Sequence, residues 1–156
     1  MITKIQKWLQ SSLNIDQLND VEHTIQLATA MLLLEVSYAD FDISQDEQVT
    51  IIQELIKQFS LSEKEAKSIL QNSMESREEY TSAHAFIRLL NEDLDQDAKL
   101  QLLSGLWRVA FADRILDKYE EQRIRKITDW LYLSHADFIR IKYKIMDEYG
   151  LPHDQE

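Results

Sequence analysis

The segment Tyr38-Ala39-Asp40-Phe41-Asp42-Ile43-Ser44-Gln45-Asp46-Glu47 returns 73 positions later as Phe111-Ala112-Asp113-Arg114-Ile115-Leu116-Asp117-Lys118-Tyr119-Glu120. Both copies read aromatic-Ala-Asp, two variable residues, an aliphatic residue, a Ser or Asp, and a Glu three positions later. Ile51 and Ile124 then stand at the same distance beyond each Glu. Downstream, Leu61-Ser62 and Leu133-Ser134 each open a further helix. One helical unit used twice predicts an all-α domain of two halves related by a pseudo-two-fold axis.

Capping chemistry accounts for part of this repeat. Ser44 and Asp117 stand as N-caps, Glu47 and Glu120 as their N3 partners, and Ile43 and Leu116 at the staple position before the cap. Asp40 and Asp113 need another reason. Each ends the preceding helix, where the macrodipole disfavours an anion by a few tenths of a kcal/mol up to about 1. One reason is an Asx-turn, in which the carboxylate accepts amides of the connecting loop. The other is a cation: Asp40, Asp42, Asp113 and Asp117, with Glu47 and Glu120, offer hard oxygen ligands for Ca²⁺ or Mg²⁺ if the two loops face each other. Asp40-x-Asp42-x-Ser44 begins like an EF-hand loop. Gln45 stands where that loop requires Gly, however, and Ile51 where it requires a bidentate Glu, so an EF-hand is excluded.

Outside the repeat, apolar residues recur at helical spacing: Ile51, Ile52, Leu55, Ile56 and Phe59; Ala66, Ile69, Leu70 and Met74; Phe138, Ile141, Ile145 and Tyr149. Capping boxes at Ser44, Ser62 and Asp117, and a similar arrangement at Ser134, mark helix starts. The pattern predicts eight helices, at 2–13, 19–39, 45–59, 63–76, 82–92, 96–112, 118–132 and 135–149. Three regions follow: an amphipathic N-terminal helix and connection over 1–18, a helical domain over 19–149, and a flexible tail over 150–156. The chain of 156 residues is long enough for one real core. Only two glycines and one proline argue against an all-β fold. The absence of cysteine removes disulfides, cysteine zinc sites and a cysteine nucleophile, and suits a cytoplasmic location.

The formal net charge is −11, which repels nucleic acid and anionic lipid. It is unevenly spread, with 18 acids and 8 bases over residues 1–100 against 10 and 9 over residues 101–156. The bases between Arg108 and Lys144 alternate with acids, which predicts a solvated, salt-bridged surface and no nucleic-acid partner. No signal peptide is visible at the start, and the greasiest stretch, residues 27–36, is too short to span a bilayer. Ile2, Ile5, Leu9 and Leu13 share one face of the first helix; packing on the domain is the simpler account, with peripheral membrane association as the other.

The paired Ala-Asp elements resemble those of the TerB family, named for tellurite-resistance gene clusters. So does the run from Glu120 through Ile124, Arg125 and Ile127 to Leu133-Ser134-His135-Ala136-Asp137-Phe138-Ile139-Arg140. The resemblance covers roughly residues 24–148. It implies an all-helical fold of two related halves, a cytoplasmic stress-associated protein, an acidic cluster proposed to bind metal, and no established enzymatic activity. Carried across residue by residue, the family's acids are Asp40, Glu47, Asp113 and Glu120, with Asp42 and Asp117 as additions. The family's Gly after Ala-Asp is Phe41 in the first copy and Arg114 in the second. Gly permits a positive φ that Phe and Arg disfavour, so a different loop backbone is expected.

Other constellations are structural or absent. Among His23, His84, His135 and His153 no pair has the spacing of a helical zinc site, and there is no Gly-rich phosphate loop and no Gly-x-Ser-x-Gly elbow. Trp8, Trp107 and Trp130 fall on apolar stripes and read as core or interface. Glu35 and Arg108 occupy equivalent repeat positions, and a buried ion pair between them under two-fold packing is one reading, with separate surface roles as the other. The leading expectation is a non-enzymatic protein that binds a divalent cation or a protein partner through its acidic helix junctions. The rivals are a metal-dependent hydrolase using the same carboxylates and a metal-free interaction module.

Overall fold

The computed structural model describes residues 21–38, 43–76 and 84–153. Seven helices run through them: α1 (Val21–Ser37), α2 (Gln45–Phe59), α3 (Glu63–Ser76), α4 (His84–Asp93), α5 (Gln96–Ala110), α6 (Lys118–Trp130) and α7 (His135–Glu148). No strand occurs among the described residues. The chain is all-α, as expected. The helix expected at 2–13 lies outside the described residues.

The greasy stretch forms the axis of the fold. Along α1, Leu27, Ala28, Ala30 and Leu32 through Leu34 are buried all round, because α2, α3, α4, α5 and α6 each pack against this helix. A helix apolar on every side is stable in water only when so enclosed. The other helices present one stripe each: Ile51 and Leu55 from α2, Ala66, Ile69 and Leu70 from α3, and Phe138, Ile141 and Ile145 from α7 are buried. Trp107 of α5 is fully buried, its ring stacked 5.7 Å from Phe111 and tilted 5.0 Å from Phe138.

Both halves repeat one order: a buried helix (α1, α5), a junction, a capped helix (α2, α6), a short Leu-Ser turn and a second capped helix (α3, α7). The two Leu-Ser turns share a detail invisible in composition. The residue before each Leu is left-handed, Ser60 at φ 54° and Tyr132 at φ 59°. At the far end, Gly150 takes φ 66°, and the N–H groups of Gly150 and Leu151 reach the carbonyls of Asp147 and Met146. This Schellman closure holds residues 150 and 151 against the end of α7.

Candidate functional site

The second junction can be built bond by bond. Helix α5 ends at Ala110, the Phe111 N–H still reaching the Trp107 carbonyl at 2.9 Å. The Arg114 N–H then closes a turn onto the Phe111 carbonyl at 2.8 Å. Asp113 Oδ1 accepts the Ile115 N–H at 3.0 Å, an Asx-turn. Asp117 Oδ1 accepts the N–H groups of Tyr119 at 2.7 Å and Glu120 at 3.2 Å, satisfying two orphan donors of α6. Asp117 therefore caps by its own side chain alone, without the reciprocal half of a capping box.

Arg114 sits at φ 66°, a left-handed conformation that an arginine ordinarily disfavours. A left-handed L-residue costs roughly 1–2 kcal/mol. Arg114 offsets that with a bond from its guanidinium to the Tyr149 carbonyl and a place over the Tyr149 ring.

At the first junction, Asp40 and Asp42 lie outside the described residues. Ser44 and Glu47 form a complete capping box: the Ser44 N–H reaches Glu47 Oε1 at 2.9 Å, and the Glu47 N–H reaches Ser44 Oγ at 3.1 Å. The same box at Ser62 and Glu65 has bonds of 3.0 and 3.1 Å and leaves Glu65 on the surface, where Ser62 holds its carboxyl below the usual glutamate range. Glu47 differs: it is only 7% exposed, and its Oε2 is buried with no hydrogen-bond partner among the described residues. Its repeat counterpart Glu120 is 4% exposed. Two first-turn glutamates at equivalent junctions are thus turned inward. Among the described residues, no three Asp, Glu or His side chains gather as a ligand set, so Glu47, Asp113, Asp117 and Glu120 do not complete one by themselves.

A charged group that sequence reasoning misassigned lies beside α5. Arg108 does not meet Glu35. Its Nη1 bonds Glu54 Oε1 at 3.0 Å, and its Nε and Nη2 bond both oxygens of Glu148 at 2.9 Å. The bidentate Glu148 and the buried Glu54 hold the guanidinium pKa above its ordinary value, and the same bonds hold Glu148 below the usual glutamate range. Glu54 stands between Ile51 and Leu55 and Gly105 lies mid-helix in the sequence, but only the structure shows that the two face each other.

The family model described as "Tellurite resistance protein TerB" matches residues 26–143, spanning both junctions. The chain belongs to the TerB family. Among curated proteins and among solved structures, none is significantly similar to it. The match covers the α1–α2 and α5–α6 junctions and runs into α7, so the repeat that carries the resemblance lies inside the TerB domain. Among the described residues, no helix is long and apolar enough to cross a membrane.

Proposed function

We propose that this TerB-family protein is a binding protein and not a catalyst, taking a divalent cation, Ca²⁺ or Mg²⁺, or a protein partner at its acidic helix junctions. The observation that carries the reading is the buried Oε2 of Glu47, unpartnered among the described residues. A buried carboxylate oxygen without a donor is costly, and a cation or a partner's donor relieves that cost. The donors present suit a hard cation, since Glu47, Asp113, Asp117 and Glu120 offer oxygen only. Asp113 commits Oδ1 to a loop amide and Asp117 commits Oδ1 to first-turn amides of α6, each keeping Oδ2 for a ligand. Asp40 and Asp42 belong to the proposed set on sequence grounds. A cation bound by carboxylates of both junctions would neutralise them and couple the two halves. A part in tellurite resistance or stress, and a cytoplasmic setting, belong to the same proposal.

The metal-free module has its own support, because loop-amide bonding is a sufficient structural role for Asp113 and Asp117. Thermal unfolding separates the two. At fixed ionic strength, Ca²⁺ or Mg²⁺ at about 100 times its Kd should stabilise the wild type by roughly 2.7 kcal/mol relative to chelator. The Asp40→Asn/Asp113→Asn double variant should lose that response, and Glu47→Gln should lose it without losing stability in chelator. A Tm indifferent to every cation sinks the cation reading and leaves the module. Cation-dependent hydrolysis of a phosphoester would overturn the non-catalytic reading.

A further inference from the structure

A second surface borders the second acidic junction, sharing residues 111–118 with it, and differs from it in charge. A groove of about 730 Å³ runs between α6 and α7, and residues 114–116 line it together with Leu151 and Pro152 where α6 begins and α7 ends. Its floor is apolar, formed by Phe111, Leu116, Ile139 and Met146. Ile115 stands at the edge, 69% exposed. Around this floor are Arg114, Lys118, Arg125 and Lys142, against a single carboxylate, Glu121. Only Lys142 is paired, to Glu121 at 2.7 Å. Arg114, Lys118 and Arg125 have no carboxylate partner among the described residues; instead they lie over the rings of Tyr149, Tyr119 and Phe138. The salt-bridged surface expected over residues 108–144 is present at Arg108, Arg140 and Lys142, and Arg114, Lys118 and Arg125 depart from it. On a chain of net charge −11, three cations without an ion-pair partner among the described residues, beside one apolar groove, are a local reversal of sign.

We propose that this groove docks an acidic amphipathic segment of a partner protein, taken up as a helix of about two turns. Charge complementarity selects an anionic occupant, and the apolar floor requires apolar side chains between its acids. Lys118, Glu121 and Arg125 lie on one face of α6, and Ile139, Lys142, Tyr143 and Met146 on one face of α7. Seven residues of helix rise about 10 Å, the length of two turns. The ring contacts hold the Arg114 and Arg125 guanidiniums in place before binding, which lowers the ordering cost of association. A membrane fits less well, since the surface is concave and the whole chain is acidic. Nucleic acid fits less well still, because four cations cannot offset the net charge. The groove reading does not depend on cation binding at the junctions.

Fluorescence anisotropy on the full chain tests it, using a labelled 16-residue peptide with Leu at helical spacing and Glu at the remaining positions. The Lys-for-Glu peptide and phosphatidylglycerol vesicles serve as comparisons. Saturable binding of the acidic peptide is expected, weakening as salt rises. Lys118→Glu/Arg125→Glu should weaken it by about tenfold or more. Arg123→Glu/Lys126→Glu makes the same charge change on α6 away from the groove and should alter it by less than about twofold. The proposal is overturned by equal losses in the two variants, by equal or tighter binding of the lysine peptide, by vesicle binding without peptide binding, or by no saturable binding of the acidic peptide.

Discussion

Gly105 lies in the interior of α5, where Ala is ordinarily favoured by about 1 kcal/mol. Here a Cβ would stand 2.9 Å from Glu54 Oε1 and 3.1 Å from Gln58 Nε2. Glu54 cannot easily move aside, because its side chain is 5% exposed and is held by Arg108 at 3.0 Å. The two effects oppose each other, and overpacking against a buried ion pair costs typically 1–3 kcal/mol. Gly105→Ala should therefore destabilise the protein by about 1 kcal/mol in urea unfolding. In a Glu54→Ala background, with the obstructing carboxylate gone, the same change should stabilise. A stabilising Gly105→Ala in the wild type would show that the Glu54–Arg108 contact yields freely.

The same tension between backbone and side chain appears at the level of whole helices. Helix α6 ends in a Schellman motif: the Tyr132 and Leu133 N–H groups reach the carbonyls of Asp129 and Thr128 at 3.1 Å each. Its left-handed residue is Tyr132, not Gly, and it is 82% exposed with Lys99 over its ring. An exposed cation–π contact is worth about 0.5–1 kcal/mol, against roughly 1–2 for the left-handed Cβ. Tyr132→Gly should leave stability equal or higher by up to about 1 kcal/mol, where Tyr132→Ala should lower it, as paired thermal melts would show. This residue also explains where sequence reading stopped short. Helices α2 and α3 coincide with the expected 45–59 and 63–76, because reciprocal capping bonds at Ser44 and Ser62 fix their starts. Helices α5 and α6 end at Ala110 and Trp130, two residues before the expected limits. The apolar period runs on through Phe111 and Leu131, while left-handed Arg114 and Tyr132 carry no glycine to announce the turn.

Across the molecule, Arg108 joins α5 to α2 through Glu54 and to α7 through Glu148. No local pattern announces a partner 40 positions away in sequence, so this tie was not legible, whereas the core helices were. The junction was legible in part: Asp113, Asp117 and Glu47 all stand in the turns and caps that their spacing implied, but the inward burial of Glu47 and Glu120 depends on tertiary packing. The Arg108 tie has a pH signature. Glu148 is held below the usual glutamate range, chiefly by its bonds to Arg108. A depressed folded pKa contributes stability that is fully present above the unfolded value, about pH 4.3, and is lost as pH falls through the folded value. Wild type should therefore lose stability between about pH 5 and 3 more steeply than Glu148→Gln; parallel acid limbs would remove Glu148 from the account. The central claim concerns the junctions, and amide NMR during Ca²⁺ and Mg²⁺ titration at fixed ionic strength tests it most directly. The account predicts saturable shifts concentrated at residues 44–47 and 113–120 and lost in Glu47→Gln; shifts spread evenly over surface acids, or none at either junction, would contradict it.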